Sequence, residues 1–271
     1  SGTNAFTGNI FLNGGTLAIA APGGTTDPTT LGAAGARTIY LNGGTFQLTG
    51  GGAYGATTKI FNVGPAGGTL NIGASTMTVA TAGVLAGTGN LTINATPAGV
   101  MLLSTAANTN SGNIFVAGGT LSVRFAGAAG TGSFILSNNV SALDIQGATI
   151  SNNVFVGGSG IAGAGAITSS GTSPTLSGTV TLTADTVIKP GTTTTFSGSI
   201  VDNGAGYKLT NATSTSIYLN GNNTYSGGTF ISGSVLYLGS NNALGGGALT
   251  IGASSTVMAN GTTSRVLTNN V

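Results

Sequence analysis

The chain has no cysteine, histidine, tryptophan or glutamate among its 271 residues. These absences exclude Ser-His-Asp and Cys-His catalysis, zinc sites built on His or Cys, and disulfides. Charged residues make up only 4% of the chain, where an ordinary globular domain has about 25%. Six scattered Lys and Arg residues form no basic patch of the kind that binds nucleic acid. We therefore expect no catalytic residues, no metal site, no cofactor and no nucleic-acid partner.

Long hydrophobic runs are also absent. The longest aliphatic run is Val100–Leu103, far short of the ~20 residues that a membrane helix needs. Glycine is abundant, with 50 residues, but it has no three-residue period, which excludes collagen. The hydrophobic fraction of 40% is too high for a disordered chain. We therefore predict a folded chain without a transmembrane segment.

The chain does contain internal repeats. Residues 4–19, 108–123 and 223–238 align directly with one another. The match continues downstream, because Ile-Ser-Asn-Asn-Val at 150–154 recurs as Leu-Thr-Asn-Asn-Val at 267–271. Similarity that returns after a little over one hundred residues indicates a repeat architecture.

A shorter period lies inside the long one. Gly-Gly-Thr recurs at Gly14, Gly43 and Gly67, and each copy precedes an apolar-polar-apolar triplet. Alternation with period 2 over so few residues is typical of very short strands with one buried face. No segment shows the i, i+3, i+4, i+7 apolar spacing of an amphipathic helix, so we expect essentially no α-helix.

Two all-β architectures compete. Asn-Gly at Asn13 and Asn42 is typical of hairpins, whereas similar units that return in order stack best on one another, in parallel and in register. Stacked like charges about 4.8 Å apart would repel, so a parallel stack also accounts for the scarcity of charge. We therefore predict an all-β parallel β-solenoid. It is expected to form a single domain, 1–271, of about three degenerate units, roughly 1–85, 86–200 and 201–271.

Residues 219–231 resemble the autotransporter-associated β-strand repeat, which occurs in bacterial autotransporter passengers and other secreted repeat proteins. The usual Asn-Thr-Tyr-Ser-Gly-Gly-Thr pattern is matched in full at 223–229, while Phe6 and Asn110 replace the tyrosine in the first two copies. The resemblance covers about three quarters of the chain and is weakest over 157–200. It implies a right-handed parallel β-helix on the outside of a bacterial cell, and it does not imply an enzyme, because family members with an activity carry it in added domains or loops.

Aromatic residues within the strand-like segments are the candidate site. Most lie between two aliphatic residues, as Phe11 does in Ile10-Phe-Leu12. If the aliphatic side chains point inward the rings point outward, because successive side chains of a strand alternate. The rings would then form an exposed strip for assembly or glycan contact, while the alternative places them in the core. The candidate strip comprises Phe11, Tyr40, Phe61, Phe115, Phe155, Tyr218 and Phe230.

The only acids are four aspartates, Asp27, Asp144, Asp185 and Asp202. Some β-helix enzymes cleave polysaccharides with carboxylates. The spacing of Asp185 and Asp202, and of Lys189 and Lys208, would place each pair on neighbouring turns. The favoured interpretation is a small surface ion-pair cluster, because nothing in the sequence indicates the pocket that catalysis needs. We therefore predict that the protein is not an enzyme.

No capping segment is visible at either end of the repeat. Solenoids usually carry polar caps, because an open end exposes the core and unpaired strand edges. We expect the ends to stack head to tail on copies of the chain, or on neighbouring repeats of a longer chain. The sequence thus predicts a structural extracellular protein, a subunit or segment of a bacterial surface fibre, filament or sheath. The alternative is an adhesin passenger module that binds host or surface glycans.

Overall fold

The structure, a computed structural model, describes residues 5–21, 31–32, 37–56, 59–105 and 107–270. The candidate acid Asp27 lies outside these ranges. The fold is a right-handed parallel β-solenoid of about ten turns with essentially no helix, as predicted. The chain separates into two compact units, unit 1 at Ser1–Ile135 and unit 2 at Leu136–Val271. The expected single domain of three sequence units stays a prediction.

Unit 1 is built from three columns of parallel strands, and successive turns of the solenoid add one strand to a column. Its strands are β1 (Ile10–Leu12), β2 (Thr16–Ala20), β3 (Arg37–Leu41), β4 (Thr45–Thr49), β5 (Ala53–Ala56), β6 (Lys59–Val63), β7 (Gly68–Gly73), β8 (Thr76–Val79), β9 (Leu85–Gly87), β10 (Leu91–Ala95), β11 (Val100–Leu103), β12 (Ile114–Val116) and β13 (Gly119–Val123). The columns are β1-β3-β6-β9, β2-β4-β7-β10-β12 and β5-β8-β11-β13. Strand β14 (Phe134–Leu136) spans the boundary between the units.

Unit 2 also has three parallel columns. Its strands are β15 (Ser141–Gln146), β16 (Thr149–Ile150), β17 (Val154–Gly158), β18 (Ile167–Ser170), β19 (Thr175–Leu176), β20 (Val180–Pro190), β21 (Thr194–Phe196), β22 (Ile200–Val201), β23 (Leu209–Ala212), β24 (Ile217–Leu219), β25 (Thr229–Ser232), β26 (Val235–Leu238), β27 (Leu249–Ile251) and β28 (Thr256–Ala259). The columns are β17-β20-β22, β15-β18-β20-β23-β25-β27 and β16-β19-β21-β24-β26-β28. The long strand β20 belongs to two columns, and a short 3-10 helix lies at Ile161–Gly163.

The core consists of aliphatic side chains stacked in register. Leu70, Ile93 and Val116 are successive partners in β7, β10 and β12, and all three are fully buried. Because each turn repeats the alternation of the turn before it, apolar residues meet apolar residues along the whole column. Burial of each such side chain contributes about 1.5–3 kcal/mol.

Within each of the two units, glycines also stack where successive turns approach each other closely. A Cβ at Gly89 would lie 1.7 Å from the carbonyl oxygen of Gly64, and one at Gly112 would lie 1.9 Å from that of Gly89. Both distances are much shorter than a van der Waals contact, so only glycine fits where successive turns approach this closely. We call this set the corner glycine ladder. It comprises Gly64, Gly89, Gly112 and Gly132 in unit 1, and Gly178, Gly198 and Gly221 in unit 2.

Two buried asparagines join successive turns. The side chain of Asn108 accepts a hydrogen bond from the backbone N–H of Leu85 at 3.0 Å and donates one to the carbonyl of Ala128 at 2.6 Å. Asn223, at the same position of the repeated motif, makes the same pair of bonds with the turn before it and the turn after it. Each amide thereby satisfies backbone groups that burial would otherwise leave unpaired.

Candidate functional site

Six of the seven rings of the candidate strip lie on the outer side of their strands. Phe11 is 63% exposed and Phe230 is 37% exposed. The strand neighbours of the half-buried rings are buried, as the alternation of side chains requires. The half-buried rings are Tyr40, Phe115, Phe155 and Tyr218.

Phe61 is the exception, and its predicted place in the outward strip is wrong. Its ring is completely buried and packs edge-on against Phe46, with ring centroids 5.2 Å apart. The register of β6 on β3 pairs Phe61 with buried Ile39, and pairs Asn62 with outward Tyr40. The observed alternation buries Phe61 and Val63 together with Lys59, while Ile60 and Asn62 lie on the outer side of the strand.

The outward rings do not form one continuous strip. In unit 1, Phe11 and Tyr40 lie in the β1-β3 column and stack in parallel, with centroids 4.8 Å apart and an interplanar angle of 3°. Phe115 lies in another column of that unit, on β12. In unit 2, three columns hold one ring of the predicted strip each, and the rings are Phe155, Tyr218 and Phe230.

Tyr237 completes a second stacked pair that the candidate strip did not include. It lies on β26 in register with Tyr218 on β24. The ring centroids are 4.4 Å apart and the interplanar angle is 8°. The next register partner is Met258 on β28, which is 47% exposed. The signal in the sequence is Leu-Tyr-Leu at 236–238 following Ile-Tyr-Leu at 217–219.

A shallow groove of about 350 Å³ lies beside Phe115. Thr92 is the register partner of Phe115, and Thr69 is the register partner of Thr92, so two hydroxyls follow the ring up the outer face. Gly67 and Asn90 contribute to the wall. We call this site the Phe115 groove.

A groove of about 390 Å³ lies beside Phe230, at the same position of the repeated motif. Phe230 lies between its register partners Thr210 and Thr250. Gly228 and Lys208 contribute to the wall. We call this site the Phe230 groove. Both grooves combine one outward phenyl ring with two adjacent threonines and glycine walls.

Asp202 is buried, at 2% exposure, and holds a loop against the next turn. Its carboxylate accepts hydrogen bonds from the backbone N–H groups of Gly204, Gly206 and Tyr207, and from the backbone and hydroxyl of Ser226. Burial alone would raise the pKa of this carboxyl. The hydrogen bonds, those from Ser226 first, outweigh burial and lower the pKa from 3.8 to about 2. The carboxylate therefore fixes the loop at 202–207 to Ser226 on the next turn, and we call this arrangement the Asp202 clamp.

The other described aspartates also accept hydrogen bonds. Asp185 is exposed and accepts one from the backbone N–H of Lys208 at 2.9 Å. Asp144 accepts hydrogen bonds from the hydroxyl of Ser170 at 3.0 Å and the amide of Gln146 at 3.1 Å. Within the described ranges, no three acidic residues group closely enough to hold a metal ion.

The chain matches no protein-family model, no curated protein and no solved structure with which it was compared. Among the described residues there is no helix with the length and apolar character needed to cross a membrane.

Proposed function

We propose that the chain is a structural extracellular protein, a β-solenoid subunit or segment of a bacterial surface fibre, filament or sheath that stacks head to tail. This proposal rests on one observation: in the outermost described turns, side chains at core positions are only partly buried. Ile251 is 44% exposed, whereas Ile231, its register partner one turn earlier, is fully buried. At the other end Ile10 is half-buried, while its partner Ile39 is fully buried.

These two surfaces suit contact with another solenoid turn. Each presents short strand edges together with the apolar side chains that a further turn would cover. Because the two surfaces differ, contact between the Ile10 surface of one copy and the Ile251 surface of another is heterologous, and a contact of this type can propagate into a filament. The net charge of +2 over 271 residues opposes such assembly only weakly. The extracellular location rests on the resemblance to autotransporter passenger repeats.

A charge at either stacking surface should block assembly. We expect the Ile251→Asp and Ile10→Asp variants to remain small at concentrations where the wild-type chain forms large species, because each buries a carboxylate in the contact. Sedimentation velocity measures this directly. The matched control is Val140→Asp, at a turn residue that is 48% exposed and lies outside the outermost turns.

The two variants also test the direction of stacking. A mixture of Ile251→Asp and Ile10→Asp should stop at pairs, because each variant keeps one intact end. A wild-type chain that remains monomeric over the whole concentration range would contradict the proposal. Assembly of both variants as large as that of wild type would contradict it as well.

The grooves favour a second candidate function, an adhesin passenger module that binds glycans. Sugar rings pack on aromatic faces, and their hydroxyls need nearby hydrogen-bonding groups. In both grooves the ring is accompanied by two outward threonines, Thr69 and Thr92 in the Phe115 groove and Thr210 and Thr250 in the Phe230 groove. The Phe115 groove has no charged lining residue and the Phe230 groove has Lys208, so the chemistry fits neutral or weakly acidic glycans.

Loss of the groove phenylalanine should remove glycan binding. On an array of neutral and acidic oligosaccharides, we expect Phe230→Ala and Phe115→Ala each to weaken binding at least about tenfold, the equivalent of 1.4 kcal/mol. Phe11→Ala removes an exposed ring outside both grooves and is the control. Absence of any bound oligosaccharide, or equal binding by all three variants, would contradict the adhesin function.

A further inference from the structure

The Tyr218–Tyr237 pair has the geometry of two phenols that can react with each other. The rings are almost parallel, at 8°, with centroids 4.4 Å apart. The parallel, in-register pairing of β24 and β26 holds them at this distance. Both rings are half-buried at the outer surface. Neither phenol oxygen makes a hydrogen bond with the described residues.

Among the described residues, this pair alone stacks two tyrosine rings on each other. Cysteine, tryptophan and histidine are absent, so the oxidisable side chains are tyrosine and methionine. Tyr54 and Tyr225 are fully buried. Tyr40 stacks on a phenylalanine, which offers no second phenol. The sixth tyrosine, Tyr207, is half-buried, and among the described residues no other tyrosine ring stacks on it.

We propose that Tyr218 and Tyr237 are an oxidative cross-linking site, where a haem peroxidase with hydrogen peroxide joins the two rings as dityrosine. Each phenol gives up the hydrogen atom on its oxygen, and one peroxide molecule takes both and becomes two water molecules. The two phenoxyl radicals then couple through a carbon–carbon bond between one Cε atom of each ring. The hydrogen on each bonded Cε moves to the neighbouring oxygen, which restores both phenols.

The cross-link would act as a covalent staple between two successive turns. It closes the loop between β24 and β26 in a chain that has no cysteine for a disulfide. Closing a loop of this size restricts the unfolded chain much as a disulfide does. In a surface fibre, the staple would lie in the half of the chain that carries the exposed Ile251 surface.

The test is treatment of the full chain with a haem peroxidase and hydrogen peroxide. We expect a product lighter by two hydrogen atoms, in which chymotryptic peptides from either side of Phe230 remain joined through Tyr218 and Tyr237. Its yield should not depend on protein concentration, because the reaction is intramolecular. The reaction is run in a Met258→Leu background. Met258 is the next residue in register, and oxidation of its sulfur to the sulfoxide would compete for the peroxide.

Two conservative variants and one gain-of-function variant separate the site from general tyrosine oxidation. Tyr218→Phe and Tyr237→Phe keep a stacked ring and remove only the phenol, so each should lower the yield at least tenfold. Phe11→Tyr places a second phenol against Tyr40 in the same parallel geometry, with the present rings 4.8 Å apart. That variant should form a second cross-link, between residues 11 and 40.

Three results would overturn the proposal. The first is an equal yield from the Tyr218→Phe variant. The second is a product that is mainly intermolecular, seen as covalent dimers whose yield rises with concentration. The third is no cross-link under conditions that couple a free tyrosine peptide. Thermal unfolding provides an independent readout, because the cross-linked chain should show a Tm about 5–10 °C higher.

Discussion

The Gly112→Ala substitution is expected to lower the free energy of unfolding by about 4 kcal/mol. The new methyl carbon would lie 1.9 Å from the carbonyl oxygen of Gly89. This oxygen belongs to the backbone of the neighbouring turn, so a rotamer change cannot relieve the clash. Either the turns move apart, which breaks ladder hydrogen bonds, or the corner unfolds. Chemical denaturation followed by circular dichroism measures the loss.

The chain contains matched controls for this prediction. Gly14→Ala should change the unfolding free energy by less than about 0.5 kcal/mol, because a Cβ there meets nothing within 4 Å. Gly198→Ala should repeat the large effect in unit 2, where the added carbon would lie 2.1 Å from the carbonyl oxygen of Gly178. If Gly112→Ala were as stable as Gly14→Ala, the close spacing of turns at the corner glycine ladder would be refuted.

The second large effect is expected at Asp202. Asp202→Asn should destabilise unit 2 by about 3 kcal/mol at neutral pH, since an amide cannot accept from all the donors that the carboxylate satisfies. One carboxylate oxygen accepts from Gly206, Tyr207 and Ser226, and the amide oxygen of asparagine would take its place. The loss therefore comprises the hydrogen bond from the backbone N–H of Gly204 to the other oxygen and the added strength that the negative charge gives to the remaining bonds. The control is Asp185→Asn, at an exposed residue that accepts a backbone hydrogen bond, where we expect a loss of less than about 1 kcal/mol.

The pH dependence of stability provides a separate test of the Asp202 clamp. Its pKa in the folded chain, about 2, is lower than the ordinary value of 3.8, so folding favours the ionised form. The stabilisation is therefore fully present above about pH 4 and is lost as the pH falls towards 2. Unfolding titrations should show this loss in the wild type and a smaller one in Asp202→Asn. Identical acid profiles would mean that another group controls the transition.

The repeated alternation was enough to predict the solenoid and its short strands. The triplets after Gly14, Gly43 and Gly67 became strands β2, β4 and β7 of one column, because similar alternation stacks in register. The sequence could not assign Phe61 to the buried or the outward side of its strand, because Lys-Ile-Phe-Asn-Val at 59–63 alternates plausibly in either sense. Only the partner strand decides which side is buried.

The residues that bind one turn to the next were harder to predict. Glycine in turns suggests positive φ, yet Gly112 is required because of close approach to a neighbouring turn, which depends on a stacking distance absent from the sequence. The sequence predicts a surface charge at Asp202, whereas the residue is buried and its partner Ser226 lies one turn away. The sequence alone does not single out Tyr237, because its significance comes from its register with Tyr218.

Electron microscopy of the purified chain at neutral pH shows whether this solenoid stacks through its outermost turns. We expect uniform unbranched filaments much longer than one chain, formed without fixation or ligand and lost in the Ile251→Asp variant. Isolated single particles at high protein concentration, with the same appearance in wild type and variant, would contradict it.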